Sequence, residues 1–250
     1  MRITLTIMLL ATIQLPLLAQ APRELADLTL RRALGTSNPP SDAVITGERR
    51  PTNGPVTPFR MVIRGNRKVR YEIGTGNQMQ VSIFNNGAAW RGVGNRFEAV
   101  ESFGVLHRPA ILPFADALSE PIGPTMILYE FAPRPVGTVT ARHLRVRHLD
   151  PTPERRFQRE PLDEQVDLFI DPSTLLVMRT ERVVISDSNY YFRVPVAFDY
   201  SDYRNVEGIA VPFRIIERVG TPQMGLRETT LILQTVRFNQ AVPDSAFLPQ

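Results

Sequence analysis

From Phe59 onward, apolar residues recur at every second position in short runs, and glycine or asparagine separates the runs. A side-chain period of two belongs to the β-strand, where successive residues point to opposite faces of a sheet. Phe59, Met61 and Ile63 alternate with Arg60, Val62 and Arg64, and Gly65-Asn66 supplies a turn. Val69, Tyr71 and Ile73 form the next run, closed by Gly74 to Asn77, and Met79, Val81 and Ile83 form a third. Asn86-Gly87 then marks a hairpin, because both residues accept the left-handed backbone of a tight two-residue turn. Ala88 to Val93 follows, with Trp90. The phase of the runs places Phe59, Met61, Ile63, Tyr71, Met79, Val81 and Ile83 on one face of a meander.

The rest of the chain extends this pattern. Gln165 to Ile170, the turn Asp171-Pro172-Ser173-Thr174, and Leu175 to Ile185 read as strand, turn, strand. Tyr191 to Tyr200 alternates with Phe192, Val194, Val196, Phe198 and Tyr200 on one face, and Pro195 points to an edge or a bulge. Glu207-Gly208 closes a hairpin into Ile209, Val211, Phe213 and Ile215, and Leu226 to Phe238 is a last long strand. Two segments break the period. Pro22 to Leu34 carries a helical stripe and stops at Gly35. The proline-rich middle holds a second candidate helix, Ala110 to Leu118, with Ile111, Phe114 and Leu118 on one stripe and Pro113 in the first turn. The run Met126 to Phe131 fits strand or helix. The expectation is a mainly β, α+β domain over 22–250, a single curved antiparallel sheet with an insert over 97–135 lying across it.

Composition narrows the function. Proline, at 22 of 250 residues, is nearly twice its usual share of about 5%, which argues against a bundle of long helices. No cysteine is present, so disulfides and thiolate chemistry are excluded. Residues 1–21 have the order of a cleavable export signal: Arg2, an apolar stretch to Leu18, then Ala19-Gln20-Ala21, with cleavage after Ala19 or Ala21. An exported, periplasmic protein, soluble after that cleavage, is expected. Lys68 is the only lysine among 29 basic residues, and these are scattered against 25 acidic ones, so no nucleic-acid surface is expected.

Catalytic signatures are missing. No nucleophile elbow, phosphate loop or zinc-protease motif occurs. His143 and His148, five apart, fall on opposite faces of a strand and do not suit one metal. Glu181, Asp199 and Asp202 read as solvated carboxylates. Trp90 suits either a core or the wall of an apolar cavity. The chain is therefore expected to be neither an enzyme nor dependent on a cofactor or metal, and to be a monomer.

Several segments in order resemble the LolA/LolB-like periplasmic proteins, which include outer-membrane lipoprotein carriers and sensors of the RseB/MucB type. They are the helix Pro22 to Leu34, the strand Phe59 to Ile63, and Arg67-Lys68-Val69-Arg70-Tyr71-Glu72. Asn86-Gly87 running to Trp90 and Phe169 to Leu175 follow, then YRNVEGIAVP over 203–212 and VPDSAF over 242–247. The resemblance implies an unclosed half-barrel whose concave apolar face is covered by the N-terminal helix and an inserted lid helix. It implies binding of lipid acyl chains or lipoproteins, with membrane-associated donor or acceptor proteins as further partners. The implied lipid-binding residues are Phe59, Met61, Ile63, Tyr71, Met79, Val81, Ile83, Trp90, Ile111, Phe114 and Leu118. A sensor using the same fold is the alternative, and an exported hydrolase a remote one.

Overall fold

A computed structural model describes residues 22–35, 38–65, 68–100, 112–113, 126–148, 165–186, 189–221 and 225–249. Helix α1 (Pro22–Leu34) is followed by thirteen strands: β1 (Asp42–Pro51), β2 (Thr57–Arg64), β3 (Lys68–Ile73), β4 (Gln80–Asn85), β5 (Ala88–Val93), β6 (Arg96–Val100), β7 (Met126–Val136), β8 (Val139–His148), β9 (Gln165–Ile170), β10 (Val177–Ser186), β11 (Asn189–Val206), β12 (Ile209–Thr221) and β13 (Gly225–Phe238). All belong to one antiparallel sheet in the order β6-β5-β4-β3-β2-β1-β13-β12-β11-β10-β9-β8-β7. Strands β6 and β7 are its two edges, so the sheet is an unclosed half-barrel. The pairing of β1 with β13 joins an N-terminal half, β1–β6, to a C-terminal half, β7–β13.

Local chemistry sets the turns. Asn86 and Gly87 have φ of 50° and 100°, and Glu207 and Gly208 have φ of 52° and 87°. Both hairpins thus have left-handed central residues, which match the twist of the strands. Asp171 builds its turn through its own carboxylate, which accepts from the Ser173 N–H at 2.8 Å and the Ser173 hydroxyl at 2.6 Å. Gly35 ends α1 at φ +59°, its N–H donating to the Arg31 carbonyl at 2.8 Å.

Strand β1 was not among the expected strands, and its sequence explains why. Ala43 and Ile45 alternate, but Gly47, Glu48, Arg49 and Arg50 follow. A bulge lies here: Thr46 opposes Thr235, whereas Gly47 opposes Leu233. The extra residue shifts the phase of β13, so Leu231 and Leu233 before it and Val236 and Phe238 after it all reach the same core. A Cβ on Gly47 would meet the Ile232 carbonyl oxygen at 2.2 Å, so only glycine fits this close approach.

The main core lies on the face that α1 covers, here the concave face. It joins Leu25, Ala26, Ala33 and Leu34 of α1 to residues such as Ile45, Phe59, Met61, Leu144, Leu168, Phe198, Val211, Ile215 and Leu231. A second cluster, Val62, Val81, Ile83 and Phe247, lies on the opposite, convex face of the N-terminal half. Phe247 belongs to a 3-10 turn, Asp244–Phe247, that lies back on the sheet. Asp244 anchors it, accepting from Lys68 at 2.6 Å and Arg64 at 2.7 Å.

Three expectations are corrected. Met79, Val81 and Ile83 do not share a face with Phe59, Met61, Ile63 and Tyr71. Tyr71 opposes Ser82, and Ile83 opposes Arg70, so Val81 and Ile83 face the convex side. Alternation fixes the phase within a strand, but the connection from Gly74 through the 3-10 turn Gly76–Gln78 fixes it between strands. Pro195 lies in the interior strand β11, neither at an edge nor at a bulge. It pairs with Val183 of β10 and stands one residue beyond the last pair with β12, Val196 with Val219. The insert is shorter than 97–135, because β6 runs to Val100 and β7 begins at Met126; the run Met126 to Phe131 is strand. The export signal, most of the lid helix Ala110 to Leu118 and the loop after Leu149 lie outside the described residues.

Candidate functional site

The concave face has two unlike ends. At one end α1 presents Leu25, Ala26, Thr29, Ala33 and Leu34, all buried, to the sheet. Its C-terminus meets the β11–β12 turn: a Cβ on Gly35 would stand 2.8 Å from the Gly208 carbonyl oxygen. The Arg32 Nε donates to the Thr174 carbonyl at 3.2 Å, tying the helix to the β9–β10 turn as well. Each large aliphatic side chain buried here contributes about 1.5–3 kcal/mol. Leu112, from the segment joining β6 to β7, also packs on this face, and Pro113 beside it is buried.

At the other end the same face carries charge. Strand β12 places Ile209, Val211, Phe213 and Ile215 toward the core, and the next residue of that phase is Glu217. Burial pushes the Glu217 carboxyl up to about 7, against the lowering pull of Arg49, Arg182 and Arg227. These arginines come from three strands and face the same side. Arg49 opposes Leu231 of β13, Arg182 opposes Val196 of β11, and Arg227 opposes Val219 of β12. Tyr71 of β3 reaches the same region. Burial and then the Glu217 charge push its phenol well above the usual value, against the pull of Arg49. Its ring meets Phe59 edge-on at 5.8 Å. Among the described residues, neither Arg49 nor Arg227 has a hydrogen bond or an ion pair within 4 Å.

Next to Tyr71 the concave face turns polar. Ser82 opposes Tyr71, Arg91 opposes Ser82, and Glu98 opposes Arg91. A cleft of about 1020 Å³ lies over this stretch, lined by Ile73, Gln80, Ser82, Arg91, Arg96 and Glu98 among others.

The structure therefore divides the residues expected to bind lipid. Phe59, Met61, Ile63 and Tyr71 come together on the concave face; Phe59 and Met61 are buried, Ile63 and Tyr71 half-buried. Val81, Ile83, Met79 and Trp90 belong to the convex cluster beneath Phe247. Of its two readings, Trp90 takes that of core. Ile111, Phe114 and Leu118 lie outside the described residues. Arg49, Arg182, Glu217 and Arg227 escaped the sequence reading, although each occupies an apolar-phase position: Ala43-x-Ile45-x-Gly47-x-Arg49, Thr180-x-Arg182-x-Val184 and Ile215-x-Glu217-x-Val219 carry the signal for three of them.

The convex face of the C-terminal half carries a lattice of ion pairs and stacked rings, in which the buried Nδ1 of His143 has no hydrogen-bond partner among the described residues. Phe131, His143 and Phe169 stack across β7, β8 and β9 with centroids 5.0 and 4.7 Å apart. Arg145 lies over Phe131 at 4.9 Å and donates to Asp167 at 2.7 and 2.9 Å. The His143 Nε2 meets the same carboxylate at 2.9 Å. Burial pushes the Asp167 carboxyl up, but hydrogen bonds from Arg145 and His143 outweigh it and hold it below the usual range. Asp199 likewise joins Arg179 and Arg218, and Arg218 reaches Glu228. Glu181 and Asp199 thus sit in ion pairs on a partly shielded surface. Among the described residues, no group of three or more His, Asp or Glu side chains has the arrangement of a metal site.

An open antiparallel half-barrel with helix α1 laid on its concave face defines the class of fold. No family model and no curated protein matches the chain. Solved structures do. A LolA superfamily protein from Nitrosomonas europaea superposes with a TM-score of 0.58 at 14% identity, over 89% of this chain and 97% of that one. A domain from Vibrio parahaemolyticus, named for outer membrane lipoprotein sorting, gives 0.53 at 10% identity, over 90% and 94%. A DUF1329 family protein from Desulfovibrio piger gives 0.54 at 11%, over 90% and 96%. The chain has the LolA-like fold. No helix among the described residues is long and apolar enough to cross a membrane.

Proposed function

We infer that this chain binds the acyl chains of lipids or lipid-modified proteins in the concavity of its half-barrel, without covalent chemistry. The observation that carries the reading is the cluster of buried apolar side chains, Phe59, Met61, Ile45, Leu231, Leu233, Ile215 and Phe198, on the concave side of a sheet whose edges do not meet. The fold it shares with a domain named for lipoprotein sorting supports it. Withdrawing an acyl chain from water is worth about 0.8 kcal/mol per CH₂, so an apolar trough suffices to hold one. The chain acts outside the cytoplasm after loss of residues 1–21, and Phe114 takes part in binding the acyl chain.

Native mass spectrometry of protein purified from an exporting host tests the reading. Adducts of lipid mass and saturable binding of the fluorescent fatty acid cis-parinaric acid are expected; absence of both overturns it. Phe114→Asp should weaken probe binding with an unchanged melt. Unchanged binding and melt together would remove Phe114 from the site.

A further inference from the structure

Acyl chains alone give no reason for the charged end of the concave face. Glu217 sits there at an apolar-phase position, ringed by guanidinium groups from β1, β10 and β13. Arg49 and Arg227 set two cations against the one carboxyl, an excess of positive charge. Such an excess invites an anion, because a half-buried charge like that of Arg49 is stabilised chiefly by a partner of opposite sign, and the exposed Arg227 leaves the site open to solvent. Arg49 and Arg227 are not otherwise engaged: among the described residues they make no hydrogen bond and no ion pair within 4 Å. Each guanidinium offers five N–H donors in a planar fork matched to carboxylate or phosphate. The charged end lies on the same face of the sheet as the apolar side chains of Phe59 and Ile215, which the acyl-binding reading assigns to the chain of the ligand.

Resting on the acyl-binding reading above, we propose that Arg49 and Arg227, with Arg182, hold the anionic headgroup of that lipid, a carboxylate or a phosphate monoester. The site therefore selects acidic amphiphiles over neutral ones of equal chain length. Glu217 acts as a competitor for the same guanidinium groups. Its carboxylate offsets part of the positive charge while the site is empty and repels the headgroup that enters. Tyr71 stands at the boundary with its ring on Phe59, where an apolar body and a hydroxyl suit the junction of chain and headgroup.

Equilibrium titration at pH 8 compares three probes bearing one parinaroyl chain: the free acid, its methyl ester, and a parinaroyl phosphatidic acid. The wild type should bind at least one anionic probe about tenfold more tightly than the ester, as charge-assisted hydrogen bonds imply. Arg227→Gln, at an exposed position that does not endanger the fold, and Arg49→Gln should each reduce that preference severalfold and leave ester binding within twofold. Glu217→Gln should strengthen anion binding and leave the ester alone. Preference for the free acid identifies a carboxylate, and preference for phosphatidic acid a phosphate. Equal binding of ester and anions, or a preference indifferent to both arginine variants, overturns the headgroup site and leaves the acyl site standing. Failure of all three probes to bind overturns both.

Discussion

The two ends of the concave face are built from the same strands and differ in what completes them. At the α1 end the chain supplies its own partner: Leu25 and Ala26 are fully buried and the helix is tied to two turns. At the other end Glu217 lies among Arg49, Arg182 and Arg227, and among the described residues Arg49 and Arg227 make no hydrogen bond and no ion pair within 4 Å. One end is finished by folding. The other carries a cost in stability, the usual mark of a surface shaped for something besides stability. That difference, more than the apolar content of the trough, separates scaffold from site.

The sharpest way to break the comparison is Leu25→Asp. If the helix end is scaffold, a buried unpaired carboxylate should destabilise the protein by several kcal/mol and lower Tm by about 10 °C or more; a melt within 2 °C of wild type would show α1 to be dispensable. Glu217→Gln should act in the opposite direction. A carboxyl raised from 4.5 to about 7 on folding holds its proton more tightly in the folded chain. The stabilisation it lends is full below pH 4.5 and is lost as pH rises through about 7. By pH 8 the loss amounts to about 3 kcal/mol. The glutamine variant should therefore melt higher than wild type at pH 8 and equally at pH 4, as calorimetry at the two values would show. Gly47→Ala probes the bulge that lets both parts of β13 face the core, and should cost about 1–3 kcal/mol by forcing β1 off Ile232, read as a lower denaturation midpoint. Tyr71→Phe keeps the ring on Phe59 and should change stability by less than about 1 kcal/mol.

Local chemistry made much of the fold legible. Helix Pro22–Leu34 and its stop at Gly35, the Asn86-Gly87 and Glu207-Gly208 hairpins, and the Asp171 turn each depend on residues within a few positions of one another. What escaped was set at a distance. Whether Val81 faces Phe59 or Phe247 depends on a connection whose length, not composition, decides the phase. Strand β1 hid because Gly47 and three consecutive charged residues end its apolar alternation after Ile45. The charged cluster draws on β1, β10, β12 and β13, and only the pairing order brings these together. Glu217 was nonetheless detectable, as the one acid continuing the apolar phase of Ile209 to Ile215.

The joint between β1 and β13 also has a meaning in time. Ala43 pairs with Phe238, nearly the whole described length of the chain away. While the polypeptide is being made, or threaded end first through a pore, β1 to β6 can form their hairpins but β1 keeps an unpaired margin. The contacts that close late are those of greatest sequence separation, and they make folding slow. Until residue 238 emerges, that margin and the apolar side of the early hairpins stay open to other chains. The nascent molecule is thus most in need of an escort just before its last strand arrives.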